Sequence, residues 1–169
     1  MEEKNDKIPT PYELFHVECG DGWAKLLQPI FDYIENYNKD KEKEEDKIEI
    51  LQVKEKFGTL RFYTSFYTDD LRNLIRAAEH ESEYTCEFCG SKEHIGYTLG
   101  WITVCCKECV TKMAQSKSQP IRWKPYGIGD QYKWAEVDAD GNITLTENGK
   151  QTAIAVYEKH KYVTSFLIF

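Results

Sequence analysis

No stretch of this chain is apolar for the about 18 residues that a membrane-crossing helix requires. A membrane span is therefore not expected. Nor is a secretory leader, since Met1–Thr10 is charged and runs into Pro9-Thr10-Pro11 instead of an apolar segment. Positive charge is in short supply as well: 22 Lys and Arg against 29 Asp and Glu leave a formal charge of −7. A field of that sign repels phosphate, so non-specific nucleic-acid binding is disfavoured, although a local basic patch is compatible with it. Repeats of a solenoid period are missing too. With neither span nor leader in view, the 6 cysteines read as reduced thiols of a cytoplasmic protein, a metal among them, and not as a disulfide framework.

What the chain does have is length for a core and many rings. Its 169 residues fit one domain, or one domain carrying a smaller module. The 11 Tyr, 8 Phe and 4 Trp can supply flat, wide contact surfaces and favour a partner face.

The organising stretch is Thr85–Val110, TCEFCGSKEHIGYTLGWITVCCKECV, which holds the pairs Cys86/Cys89 and Cys106/Cys109. Each Cys-x-x-Cys sets two thiolates on one tight turn, and the intervening residues let both turns converge tetrahedrally on one ion, the spacing of a zinc site. Four thiolates leave no open water position, so the zinc is expected to be structural and not catalytic. Bound, it would move the formal charge to roughly −9. Cys105 adjoins the second pair but should point to the opposite side of its strand, and is expected to be buried as a small apolar residue. His94 is expected to be an exposed loop residue. A knuckle, a hairpin broken at Gly100 and a helix whose first turn donates the second pair make a treble-clef-like module.

Upstream, an anchoring segment is expected at Tyr12–Val17. Asp21 can cap a helix in which Trp23, Leu26, Leu27, Ile30, Phe31 and Ile34 follow the 3.6-residue period, with a bend or a separated first turn forced by Pro29. The run Asn38–Lys47 has nothing apolar to bury and reads as a solvated loop. Ile48–Tyr67 reads as a hairpin about Phe57-Gly58, with Leu51, Val53, Leu60, Phe62 and Phe66 on the buried face. Ile48, Ile50, Gln52, Lys54, Arg61, Tyr63 and Tyr67 fall on the other. Thr68 can cap a second helix over Asp69–Glu83, whose Leu71, Leu74, Ile75 and Ala78 should cover the hairpin. Ser116–Pro125 breaks the pattern, and the tail is strand-rich, with Lys133–Val137 and Ile143–Thr146 joined by a turn and Thr152–Glu158 pairing with Tyr162–Phe169.

Of the non-metal candidates, the face carrying Lys54, Arg61 and Tyr63 is the strongest, because an arginine beside exposed rings stacks on a base or grips an acidic partner with its planar fork. The Asp21-Trp23 corner is the second. Cys19 could have its pKa lowered by the helix start, but a nucleophile also needs a positioned base, for which His16 is the only histidine nearby in sequence, and a packed or merely exposed thiol is expected. Gln52 and Lys54, with Asp46 or Glu49 as the acid, echo the strand of metal-dependent nucleases. Asp138-Ala139-Asp140-Gly141-Asn142 starts like a calcium loop but has no acid at its twelfth position, so a hairpin turn is expected.

Three blocks together, Cys19-Gly20-Asp21-Gly22-Trp23, Gln52–Tyr63 (QVKEKFGTLRFY) and Ile75–Glu79 leading into Thr85–Gly90 (TCEFCG), resemble a family of small uncharacterised proteins that often occur in phage and prophage genomes. The resemblance spans about residues 17 to 110. It implies no activity, but a phage context favours action on a host or defence component in the host cytoplasm. The expected architecture is α+β: a helix and hairpin-helix unit over 11–85, a zinc module over 86–118 and an antiparallel β extension over 119–169. The expected function is that of a non-enzymatic binding module with a protein partner. The alternatives are a metal-dependent nuclease or nucleotide-processing enzyme, and a nucleic-acid-binding zinc protein.

Overall fold

A computed structural model describes residues 17–129, 132–147, 150–154, 156–158 and 161–163. The expected anchor Tyr12–Val17 (Val17 apart), the turn residues Lys159 and His160 and the final stretch 164–169 lie outside the described residues. The first strand, β1 (Val17–Glu18), is followed by a single 3-10 turn at Asp21–Trp23 that leads straight into helix α1 (Ala24–Lys39). Trp23, Leu27, Ile30, Phe31 and Ile34 return to one side of this helix and are all buried. The helix is continuous through Pro29, and the separated first turn lies upstream of it. Pro29 and Lys25 are both exposed, so the Lys25 carbonyl that lacks a partner N–H faces water.

The charged segment after α1 contains a short 3-10 turn, Glu44–Asp46, with no buried residue. Its end is fixed by Asn38, whose side chain accepts from the Ile48 N–H (2.8 Å) and donates to the Ile48 carbonyl (2.9 Å). Strands β2 (Ile50–Lys56) and β3 (Thr59–Thr64) then form the hairpin, turning through Phe57 and Gly58 at φ 55° and 79°. Positive φ at both central residues gives the strand twist that a two-residue hairpin needs. The pairs Val53–Phe62 and Glu55–Leu60 are those that one-sided burial requires.

Beyond Gln52 the expected register fails. A bulge between Ile50 and Gln52 brings Ile50 opposite Thr64, leaving Leu51 59 % exposed while Ile48 is buried. One extra residue on a strand inverts the alternation past it, which moves Leu51 out and Ile48 in. Thr68 caps helix α2 (Asp69–Ser82) by accepting from the Leu71 N–H, and Leu71, Ile75 and Ala78 close over Val53, Leu60 and Phe62 in one core with α1.

A second core belongs to a six-stranded sheet. Its strands are β4 (Ile95–Thr98), β5 (Val104–Cys106), β6 (Ile121–Pro125), β7 (Trp134–Val137), β8 (Ile143–Glu147) and β9 (Lys150–Ile154), in the order β5-β4-β6-β7-β8-β9. Helix α3 (Lys107–Lys117) follows β5 and packs on this sheet, with Val110 and Ala114 buried. The segment Ser116–Pro125, expected as a break, instead contributes β6 between β4 and β7. Pro120 and Pro125 bracket the strand instead of interrupting it, since a proline at a strand end removes no interior ladder bond. A further ladder joins β10 (Val156–Glu158) to β11 (Lys161–Val163), so the single strand expected over Thr152–Glu158 is divided between two sheets. The described chain is thus α+β, with three α-helices, the β1-β2-β3 sheet, the larger sheet and this ladder.

Ser82, fully buried, ties α2 to the hairpin: its Oγ accepts from the Leu60 N–H (2.9 Å) and donates to the Glu79 carbonyl (2.6 Å). Ser82→Ala leaves the Leu60 N–H without a partner in a dry site. We expect a loss of about 1–3 kcal/mol, read as a lower denaturant midpoint at unchanged slope.

Candidate metal centre

The first pair of cysteines sits on a turn closed by its own backbone. The Gly90 N–H donates to the Cys86 carbonyl (2.9 Å) and the Cys86 N–H to the Ser91 carbonyl (2.8 Å), with Gly90 at φ 74°, where a side chain would be strained. The second pair spans a strand-to-helix junction: Cys106 ends β5 and occupies the N-cap position of α3, and Cys109 lies in the first turn. The two meet because the Glu87 N–H donates to the Val104 carbonyl (3.0 Å), laying the knuckle along the edge of β5.

The sulfurs of Cys86, Cys89, Cys106 and Cys109 all lie within 4.8 Å of one another, and Cys89 and Cys106 are 3.6 Å apart. A tetrahedron with metal–sulfur bonds of about 2.3 Å has edges of about 3.8 Å, so the cluster has the dimensions of a site for one metal ion. Cys86, Cys106 and Cys109 are buried and Cys89 is exposed, which puts the opening on the Cys89 side.

The charge state supports the same conclusion. The Cys106 thiol donating to the Cys86 sulfur, with backbone N–H groups pointing at it, draws the Cys86 pKa well below the usual thiol value. The reciprocal effect, with burial, pushes Cys106 far up, and burial followed by the Cys86 charge lifts Cys109 to about 12. The pocket thus stabilises one negative sulfur and resists more until a cation is present.

The Cys19–Trp23 corner is docked on the knuckle. The Gly22 N–H donates to the Glu87 carbonyl (2.8 Å), the Gly20 N–H to Glu87 Oε1 (3.1 Å) and the Trp23 indole to the Thr85 carbonyl (2.8 Å). A Cβ at Gly22 would stand 2.3 Å from the Cys86 carbonyl oxygen and 2.5 Å from that of Glu87. Trp23, expected to face a partner, is fully buried and is a core residue. Asp21 is exposed and lies inside the 3-10 turn, with Gly20 in the cap position that was expected for Asp21.

Cys19 is a half-buried thiol, without the lowered pKa that a helix start could give. Burial first, then Glu87, Asp21 and Glu55, raise its pKa to about 12, so the thiol stays protonated and is no nucleophile at neutral pH. Cys105 is fully buried with its pKa raised by burial, outside the sulfur cluster, and His94 is half-buried with its backbone carbonyl accepting from the Lys107 N–H. Asp138 is occupied within its own turn, accepting from the Asp140 and Asn142 N–H groups and the Asn142 amide, each at 2.9 Å.

On the hairpin, Lys54 stands opposite Arg61, and Gln52 opposite Tyr63, with the Lys54 ammonium 5.7 Å from the centre of the Tyr63 ring. The acid beside Gln52 is Glu18 of β1, whose Oε2 accepts from the Gln52 amide at 3.1 Å, in place of the expected Asp46 or Glu49. Glu87 went unforeseen. It is buried, its carboxyl raised mainly by desolvation and lowered in part by the Gly20 N–H, and nothing in a Cys-Glu-Phe-Cys string marks an acid for burial.

No family model, no curated protein and no solved structure matches this chain. No helix among the described residues is long and apolar enough to cross a membrane.

Two outcomes test this geometry. Metal uptake at neutral pH should release about two protons or more per ion, because Cys106 and Cys109 must ionise on binding; calorimetry in buffers of different ionisation enthalpy measures it. Gly22→Ala, with no room for its methyl, should cost about 3 kcal/mol in a denaturant titration of the metal-loaded protein.

Proposed function

We propose that the protein is a non-enzymatic binding module in which a treble-clef-like zinc unit holds an α+β body rigid and the outer face of the β2–β3 hairpin takes a protein partner. Zinc is the ion of choice for a closed shell of four thiolates, since soft sulfur donors and a tetrahedral cage suit it and leave no coordination position for a substrate. The role of the ion is therefore structural. The observation that carries the recognition reading is the composition of the hairpin face: Lys54 opposite Arg61, both half-buried, with Tyr63 38 % exposed beside them. A cation pair flanked by a flat ring fits a carboxylate-bearing protein surface, where Arg61 can fork onto an acid and Tyr63 supplies apolar area.

The resemblance of the three sequence blocks to small proteins of phage and prophage genomes favours a host or defence component as that partner, met in the host cytoplasm. It adds no chemistry to the site.

A second reading, a metal-dependent nuclease, draws on Glu18, Gln52 and Lys54 standing together on β1 and β2. It ranks lower because a catalytic divalent ion needs several hard oxygen ligands, and the one metal-sized group of His, Cys, Asp and Glu among the described residues is the sulfur cluster.

Capture from host lysate, compared between the native chain and variants of equal metal content, tests the first reading. Arg61→Glu and Tyr63→Ala should each reduce recovery of the partner at least about tenfold, as loss of a desolvated arginine or aromatic anchor does. Cleavage of labelled DNA or RNA with magnesium or manganese, abolished by Lys54→Ala, would instead establish the nuclease.

A further inference from the structure

The four sulfurs of the metal-sized cluster do not meet solvent equally: Cys86, Cys106 and Cys109 are buried and Cys89 is exposed. Phe88 and Cys89 form the outward side of the knuckle, and the Phe88 ring is 47 % exposed as well. Cys86, on the same knuckle, has different surroundings. Backbone N–H groups of Phe88 and Cys89 point at its sulfur and the Cys106 thiol donates to it, so the electron pairs it could offer a reagent are already engaged. A sulfur that solvent reaches is the one that oxidants meet first. Cys106 faces it, with the two sulfurs 3.6 Å apart, and belongs to another element, at the N-cap position of α3. Cys105 is fully buried, Cys19 is half-buried, and neither belongs to the cluster.

We propose that Cys89 and Cys106 are a peroxide-sensitive pair that gives one clamp two forms: the knuckle and the head of α3 are joined by the metal when the pair is reduced and by a Cys89–Cys106 disulfide when it is oxidised. The proposal rests on the cluster holding an ion and is independent of the hairpin face. In the first step the Cys89 thiolate attacks one oxygen of hydrogen peroxide; the S–O bond forms, the O–O bond breaks and hydroxide leaves, giving a sulfenic acid. The Cys106 thiolate then attacks the Cys89 sulfur; the S–S bond forms, the S–O bond breaks and a second hydroxide leaves. Two electrons pass from the sulfurs to peroxide, and both hydroxides take protons from the buffer to become water. Cys86 and Cys109 remain, two thiolates where a closed tetrahedral shell needs four, so the ion is no longer held. A thiol reductant reverses the change by exchange at the disulfide and restores all four ligands. Pairing of Cys86 with Cys89 is the poorer outcome, because it pulls the Cys86 sulfur from its N–H contacts and leaves the knuckle untied from α3.

The test starts from the metal-loaded full chain under a thiol reductant, whose metal content is measured first. A reduced chain without bound ion overturns the metal reading itself, and the clamp with it. The reductant is then removed and hydrogen peroxide added; metal release is followed with a chelating dye, free thiols are blocked with N-ethylmaleimide, and disulfides are mapped by peptide mass spectrometry. About one ion should be released per disulfide formed, with Cys89 joined to Cys106, the circular dichroism retained, and uptake restored by dithiothreitol with zinc. Cys19→Ser should respond as the native chain does. With the ion shown to be bound at the start, five outcomes would each overturn the clamp alone: no release, release without a Cys89–Cys106 disulfide, collapse of the circular dichroism, failure of the reductant to restore uptake, or loss of the response in Cys19→Ser.

Discussion

The backbone of the Cys19–Trp23 corner lies against the first knuckle so closely that only glycine fits at Gly20 and Gly22. Most of the architecture depends on that contact. The sulfur cluster fixes the knuckle, the knuckle receives the Gly22 and Gly20 N–H groups and the Trp23 indole, and Trp23 leads directly into α1. The hairpin and α2 then close on α1 in the first core, while Cys86, Cys106 and Cys109 belong to the second. The Gly22, Gly20 and Trp23 hydrogen bonds to the knuckle join the two cores, and the hairpin tip supports the same junction where Gly58 meets Ile102 and Val104.

The three blocks that stand out in the sequence are the parts of this one junction. Cys19–Trp23 is the docked corner, Thr85–Gly90 the knuckle beneath it, and Phe57-Gly58 the turn that rests on the loop before β5. Their composition follows from close backbone approach and not from catalysis: glycine where a methyl would collide, tryptophan where one buried indole spans the gap to the Thr85 carbonyl. The burial of Glu87 belongs to the same logic, since its carboxylate accepts the Gly20 N–H that would otherwise be stranded in a dry contact.

Much of this was legible because it is local. Cysteine spacing, the periodicity of α1 and α2, the Thr68 cap and the Phe57-Gly58 turn are each written within a few residues. Some of what the local pattern misses comes from distant partners. The Asp21-Trp23 corner read as a partner site because the acceptor of the Trp23 indole, the Thr85 carbonyl, lies 62 positions away. The helix start beside Cys19 is local, whereas its pKa is raised by burial and then by the carboxylates of Glu87, Asp21 and Glu55. The bulge at Leu51 was hidden for a different reason: Ile48, Ile50 and Leu51 are all apolar, so hydrophobic pattern alone accepts either register. Strand β6 was masked by its two flanking prolines, which read as a break until their positions at the strand's ends are known.

Charge completes the argument about where recognition occurs. A four-thiolate zinc carries a net charge of about −2, and Glu87 stands beside it, so the metal centre adds to the negative field of an already acidic chain. A carboxylate-bearing partner of the kind proposed is repelled there, and the hairpin offers it cations instead, Lys54 opposite Arg61, with the exposed Tyr63 ring next to them. On the proposed reading a bound metal serves recognition through rigidity, holding the knuckle on which the Cys19–Trp23 corner is docked, while the attractive chemistry sits on the hairpin.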